Sequence, residues 1–500
     1  MYQKVIYVGL CILILVYSIS LIDRKIDVDD CMLGEHAYWM AKEGKVKTVL
    51  FWGNGLNWAQ EQFHYHKLFI LVGAIFIKIF GFSLTVLKSV SLVFTIAFSF
   101  ILFKFLRSIY GRQRGLQLTT LSLLLLIING QFFERSFMYR PEVMVMFIGF
   151  ISFIFLDLYN QNQKKSYIIL SGIMAGLAVF THLNGLIFAF ATVVILLFNL
   201  RIKDIIWFSI PFILTASLYF FNITNGAEFQ QFIFQFTNDP NLAKKDFSIF
   251  EPFYKILNEH KRFFHSPKEA VFSILFVLSL IIGYKNYSSR EKYLFHYLIF
   301  LIIGLAGLSH GVTAKYAIIY YPFMIILIAI SIYSLIEKKR AFLWMNVLMV
   351  SYLLIQITSD LQLFKSKLDV EKRNNYIATQ LKGGKSIFAN EYLIFNEIEH
   401  FTIKSALPLA YEYGFKSKPL SYQQKRFFEL AEKGHNDYIV VDTIYNNKFY
   451  DTMLEDRNLE LGSEHYNYRL IHKQDGIYIF KFVDKKVRLI SVDQPNTTTS

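Results

Sequence analysis

Apolar residues in this chain run in blocks of about 15–25, separated by short polar connections. At ~1.5 Å per residue such blocks match the ~30 Å hydrocarbon core of a bilayer, so the pattern predicts membrane-crossing helices. The blocks lie at roughly 4–22, 84–106, 115–133, 142–159, 167–181, 185–200, 204–222, 270–284, 293–309, 316–336 and 341–358, about eleven in all. A further apolar stretch, "KLFILVGAIFIKIFG" (67–81), is short and interrupted by Lys78. From about Asp360 the pattern becomes polar and mixed. There "KSIFANE", "NDYIVVDT" and "GIYIFKFV" read as β-strands, and "SYQQKRFFELAEKG" reads as a helix between them. The expected fold is an α-helical polytopic membrane domain over 1–358, followed by a small α/β domain over 359–500.

Composition agrees with the pattern. The 500 residues are 54% hydrophobic and 18% charged, against roughly 25% charged in soluble domains. Abundant Tyr and Phe suit interfacial aromatic belts. The net charge of +14 calls for no nucleic acid, because its basic residues gather in short connections. With 67–81 lying flat on the membrane, "RSIYGRQRG", "NQNQKKS", "RIKD", "KNYSSREK" and "EKKR" share one side with Lys4, which the positive-inside rule makes the cytoplasm. The outward features are then a long first loop (23–83), a second long loop (223–269) and the C-terminal domain, on a multi-pass protein of the cytoplasmic membrane. The N-terminal run lacks a small-x-small cleavage site and reads as an uncleaved first helix. Cys11 and Cys31 fall in and beyond that run, so no disulfide framework is expected. "LKGGKS" lacks the first glycine of a phosphate loop, where Thr379 stands. The tail "QPNTTTS" reads as disordered.

The candidate chemistry starts just past the first span, at "KIDVDDCMLGEHAYWM". Asp27, Asp29, Asp30 and Glu35 are ordinary residues for a solvated helix exit. Ala37, Met40 and Gly44 follow at +7, +10 and +14 from Asp30, however, which predicts a helix on the membrane surface ending at glycine. Such a helix would hold the acids at the mouth of a membrane cavity.

This stretch resembles the first outer loop of the GT-C glycosyltransferases, and in particular their family 39 protein mannosyltransferase-like and aminoarabinose transferase-like branch. Those enzymes usually read Asp-Glu where this chain has Asp29-Asp30. Further landmarks follow in order. Lys67 and Gly81 are kept without the family's two prolines; Arg140 and Glu142 occupy "YRPEV"; "AGLAVFTHLNG" has His182 where Lys is usual; and "TAKYAIIYYPF" supplies Lys315, Tyr316 and Pro322. The charge-derived topology puts Asp29, Lys67, Arg140, Glu142, His182 and Lys315 at the outer side.

The resemblance implies transfer of a sugar from a polyprenyl-phosphate-linked donor to an acceptor hydroxyl on a protein, lipid or glycan, outside the cytoplasmic membrane. Asp29 is then the candidate base with Asp30 its neighbour, and mutual repulsion would raise one pKa. Lys67, Arg140, Lys315 and His182 are candidates for the donor phosphate, with Glu142 and Tyr316 in support. Simpler roles stand beside these: interfacial snorkelling for Lys67 and Lys315, an ion pair with Glu142 or Glu134 for Arg140, and a hydrogen bond at a helix end for His182. No cofactor is expected; a divalent metal, if used, would draw on His64 and His66 with Asp29 or Asp30. Rival functions are a transporter or flippase of lipid-linked glycans, a ligase or polymerase (for which "HKRFFH" in the loop 223–269 is the pointer), and a non-catalytic scaffold.

Overall fold

The computed structural model describes residues 2–21, 26–239, 250–309, 313–337, 343–364, 369–412, 415–444 and 460–483. The tail 494–500, most of "EKKR" and residues 240–249 of the second long loop lie outside the described residues. Those described form two compact units, one taking in 1–41, 64–230 and 241–367, the other 42–63, 231–240 and 368–500.

The helices of the first unit are α1 (Tyr2–Ile19), α2 (Val28–Glu43), α3 (Lys67–Phe80), α4 (Leu84–Ile128), α5 (Gly130–Arg135), α6 (Glu142–Asn162), α7 (Lys165–Thr181), α8 (Leu186–Phe198) and α9 (Ile202–Ala216). After α10 (Gly226–Thr237) come α11 (Glu251–Asn258), α12 (His260–Phe263), α13 (Pro267–Gly283), α14 (Ser289–Leu308), a 3-10 segment Ala314–Tyr320, α15 (Tyr321–Glu337) and α16 (Leu343–Phe364). Among the described residues six helices are long and apolar enough to cross a membrane: α4, α6, α9 with its 3-10 extension, α13 with its own, α14, and α15 with the segment before it. The chain is a multi-pass membrane protein. The two predicted spans 84–106 and 115–133 are two helical runs within α4, joined at Gly111, which leaves the helical conformation (φ 76°, ψ 177°). The second stops short of residue 133 because Asn129 leaves the helical conformation and its side chain caps α5 through the Phe132 N–H (3.0 Å). Tyr321–Ile332 of α15 is wholly buried, making it a core helix of the bundle. α9 buries only Phe208 and leaves Ile206, Ile210, Ile213 and Leu214 exposed, an apolar face suited to lipid. α16 continues to Phe364, past the 358–359 boundary that composition suggested. Cys11 and Cys31 are free thiols.

The second unit carries α17 (Val370–Gln380), α18 (Ile394–Glu397), α19 (Leu407–Tyr411), α20 (Leu420–Lys433) and strands β1 (Ser386–Phe388), β2 (Thr402–Lys404), β3 (Tyr438–Asp442), β4 (Glu464–His465), β5 (Tyr468–Gln474) and β6 (Ile477–Phe482). The strands order as β2-β1-β3-β6-β5-β4, with β1 parallel to β2 and β3 and the remaining pairs antiparallel. β3 is buried along its whole length, as expected for the unbroken apolar run "YIVV". α20 packs Phe427, Phe428, Leu430 and Ala431 against Phe388, Ile439, Val441 and Phe480. Segments from the two long loops complete the unit: Gln235 accepts the Phe63 N–H (2.7 Å) and donates to the Leu56 and Glu61 carbonyls, and Ser405 donates to the Leu50 carbonyl (2.9 Å).

Candidate active site

α2 begins with two carboxylates in its first turn, where helix N–H groups favour negative charge. Gly44 follows α2 at φ 74°, and Ala37 and Met40 are buried, as their spacing predicts. Successive helical residues diverge by about 100°, so Asp29 and Asp30 enter different surroundings. Asp30 is fully buried. It accepts the N–H of Asp27 (2.8 Å) and that of Tyr139, and one oxygen lies 3.4 Å from the Lys88 ammonium. Burial holds the Asp30 carboxyl above its ordinary range, against the pull of Lys88 and the two N–H groups. Asp29 keeps 28% of its side chain exposed. Its Oδ2 pairs with Arg140 Nη1 and sits 3.8 Å from Lys315 Nζ. Of two adjacent carboxylates, one ties backbone together and the other meets two cations at an open position.

Arg140 precedes Pro141, which starts α6. Its Nε lies 3.2 Å from both Glu142 oxygens and its Nη2 donates to Oε1 at 2.6 Å. Glu142 therefore fixes the plane of the guanidinium and leaves Nη1 for Asp29. The structural ion pair and the open cation are two edges of one group. Burial works against the Arg140 charge, but the Glu142 carboxylate more than offsets it and the guanidinium titrates above its ordinary range. Glu134 pairs elsewhere, with Arg135 (3.2 Å) and Lys268 (2.6 Å).

Lys315 and Tyr316 stand in the 3-10 segment Ala314–Tyr320, which neighbouring side chains hold in place. In the amide orientation that satisfies both ends, Gln131 donates to Glu269 (2.8 Å) and accepts the Lys315 N–H (3.2 Å). Arg262 is buried, donates to Glu259 (2.6 Å), Ser309 (2.8 Å) and the Thr313 carbonyl (2.5 Å), and so anchors the chain just before Lys315. The arginine of "HKRFFH" thus serves as a clamp.

His182 ends α7 in extended conformation, and its Nδ1 accepts the Asn184 N–H (2.9 Å). Its ring stacks on His66 with centroids 4.4 Å apart and meets Tyr316 edge-on at 5.9 Å. Burial lowers the His182 pKa to about 4, and the His66 ring is likewise held well below its ordinary value, by burial first and then by His182. Near neutral pH both are uncharged rings that offer hydrogen bonds. Lys67 heads α3 and is fully buried. Its ammonium donates to Asn222 and lies 4.0 Å from the Tyr65 ring centre and 5.5 Å from that of Tyr219. Lys67 is therefore caged by rings and does not snorkel to an interface. His64 and His66 build no metal cluster: among the described residues no group of three or more His, Cys, Asp or Glu is placed to hold an ion.

One expectation is corrected. Glu35 is no solvated charge; it is buried and accepts the Trp39 indole N–H (3.1 Å) one helical turn on. Sequence reasoning also passed over Lys88, Gln131, the Tyr139 N–H and the anchoring role of Arg262. Only Lys88 left a signal, as an ionisable residue inside a predicted span.

With this geometry in place, residues 68–224 match the family model described as dolichyl-phosphate-mannose-protein mannosyltransferase. The fold is similar to that of ArnT from Cupriavidus metallidurans bound to undecaprenyl phosphate, with a TM-score of 0.63 at 10% identity, covering 97% of this chain and 98% of that one. ArnT from the same organism in the apo state gives 0.62 at 12% identity, over 96% and 98%. The Archaeoglobus fulgidus oligosaccharyltransferase in the apo form gives 0.55 at 12% identity, over 98% of this chain and 81% of that one. Among curated proteins, no sequence matches this chain.

Proposed function

We propose, for a chain that has the GT-C glycosyltransferase fold and carries a segment matching the mannosyltransferase family model, that it transfers a sugar from a polyprenyl-phosphate-linked donor to an acceptor hydroxyl at the outer face of the cytoplasmic membrane. The observation that carries this reading is the position of Asp29, a partly exposed carboxylate between two cations, Arg140 and Lys315. A phosphate arriving there competes with Asp29 for both cations. Arg140 presents the free edge of a guanidinium already oriented by Glu142, and Lys315 adds a point charge. Together they take up the negative charge that grows on the phosphate as its bond to the sugar breaks. Asp29, released from its partners, accepts the proton of the acceptor hydroxyl as that oxygen bonds to the sugar carbon. Such general-base help is typically worth ~10²–10⁴ in rate. Tyr316 and neutral His182 border the phosphate position with hydrogen-bonding groups, and Lys67 stiffens the flank behind His66. The undecaprenyl phosphate bound in the similar ArnT structure supports a lipid-borne donor.

The test is transfer of radiolabelled sugar from a polyprenyl phosphate carrier in membranes that contain the chain. Arg140→Ala and Lys315→Ala should each lower transfer at least tenfold. Full transfer by both would remove the phosphate assignment.

A further inference from the structure

The 3-10 segment that carries Lys315 starts without a cap of its own. Thr313 holds the N-cap position in extended conformation, and among the described residues its side chain makes no capping hydrogen bond. Two other elements fix this start: Gln131 of α5 accepts the Lys315 N–H (3.2 Å), and Arg262 of α12 donates to the Thr313 carbonyl (2.5 Å). The next residue of α12 reaches the far end of the segment. The Phe263 ring stacks on that of Tyr320, the last residue of the seven, with centroids 5.9 Å apart. Consecutive residues of α12 thus grip the segment at both ends. α12 is held in turn, since Ser273 of α13 donates to the Phe263 carbonyl (2.8 Å). Glu259 takes Arg262 Nε (2.6 Å) and Nη2 (3.3 Å), which orients the guanidinium and leaves Nη1 for Thr313, as Glu142 does for Arg140. Nη2 also donates to Ser309, which caps the end of α14 (2.8 Å). Arg262 is only 1% exposed. A desolvated guanidinium is costly, and this one spends its donors on Glu259 and on the approach to Lys315.

We propose that Arg262, oriented by Glu259, is a positioning residue for the donor phosphate: it fixes the backbone from which Lys315 reaches that phosphate and does not touch the phosphate itself. The inference rests on the transferase reading above. Lys315 carries its charge on a flexible four-carbon stem, so its ammonium is only as well placed as the backbone at its root. That ammonium now lies 3.8 Å from the Asp29 carboxylate. A 3-10 helix rises ~2 Å per residue, so a slip of one residue carries the ammonium out of contact. Misplacement by ~1 Å can cost ~10²-fold in rate. Burial keeps Arg262 itself from the phosphate, and its effect on binding therefore passes through Lys315.

The experiment is a double-mutant cycle on the full chain in lipid nanodiscs, with undecaprenyl phosphate as the probe and calorimetric titration as the readout. The four proteins are wild type, Arg262→Gln, Lys315→Ala and the double variant, and melting temperatures show that each folds. Arg262→Gln should weaken binding about fivefold or more, and the double variant should bind within about twofold of Lys315→Ala alone. Arg262→Lys, which keeps a donor for Thr313 but lacks the fork, should bind between Arg262→Gln and wild type. An arginine that merely supported the fold would weaken binding by the same factor whether or not Lys315 is present. If Arg262→Gln does not fold, Arg262→Lys and Glu259→Gln replace it in the cycle under the same criteria. Wild-type binding by the Arg262 variants, or losses that multiply in the double variant, would overturn the proposal and leave the transferase reading standing. Absence of binding by the wild type would remove the donor reading and this proposal with it.

Discussion

Asp30 is the residue whose replacement the structure prices most clearly. It is fully buried, 3.4 Å from the equally buried Lys88 ammonium, and takes two backbone N–H groups. Asp30→Ala leaves a cation without its partner and two donors without acceptors. Removing one member of a buried pair typically costs ~3–5 kcal/mol, and each orphaned N–H ~1–3 kcal/mol, though the terms overlap and do not add. We expect a loss of about 4 kcal/mol. The pair itself is a different matter. That burial outweighs Lys88 in setting the Asp30 pKa means that desolvation exceeds the attraction. Asp30→Leu with Lys88→Met removes the unpaired cation but still leaves the Asp27 and Tyr139 N–H groups without an acceptor, so it should recover part of what Asp30→Ala loses. The sign of the pH effect follows. An acid whose folded pKa is raised favours the fold below its unfolded value of ~3.9, and that contribution is lost as pH climbs through the raised value. The double variant should thus gain on the wild type as pH rises from about 4. Unfolding by SDS titration in mixed micelles, followed by tryptophan fluorescence, measures all three proteins. A double variant as unstable as Asp30→Ala, or an Asp30→Ala protein as stable as wild type, would refute the reasoning.

The histidine stack gives a second pH effect. Between its ordinary value of 6.5 and about 4, His182 binds a proton only when the chain is unfolded, and His66 is shifted the same way. Stability should fall as pH drops through that window, and His182→Asn should flatten the slope in a melting series. Gly73 is a packing test: a Cβ there would lie 1.6 Å from the Tyr139 hydroxyl, so Gly73→Ala should cost about 1–3 kcal/mol or more and displace Arg140 beside it, lowering transfer as well as stability. Tyr139→Phe removes a buried hydroxyl that has no hydrogen-bond partner among the described residues and should melt no lower than wild type.

What the sequence revealed and what it hid follow from the range of the forces involved. Helices, kinks and caps depend on neighbours a few residues away, so the apolar runs, the "YIVV" strand and the helix ending at Gly44 were readable. The short strands β2 and β4 were not, because two or three residues carry no period. The gathering of Asp29, Arg140, Glu142, His182, Lys315 and Tyr316 at one end of the bundle follows from where each sits relative to a span. The fate of each side chain does not. Asp30 becomes a structural tie because of a backbone N–H 109 residues away. Asp27 lines a cavity with Glu134 and Arg135, residues that no local pattern connects to it. Glu35 looked solvated as one more acid near a helix exit, and tertiary packing buried it.

The most direct test separates phosphate binding from proton removal in one substitution. Asp29→Asn keeps the shape of the side chain, deletes the base and frees Arg140 and Lys315 from their partner. Undecaprenyl phosphate binding and sugar transfer should be measured on the same preparation. Binding at least as tight as wild type, with transfer slower by about 10²-fold or more, is the expected result. Wild-type transfer by Asp29→Asn would contradict the assignment of Asp29 as the base.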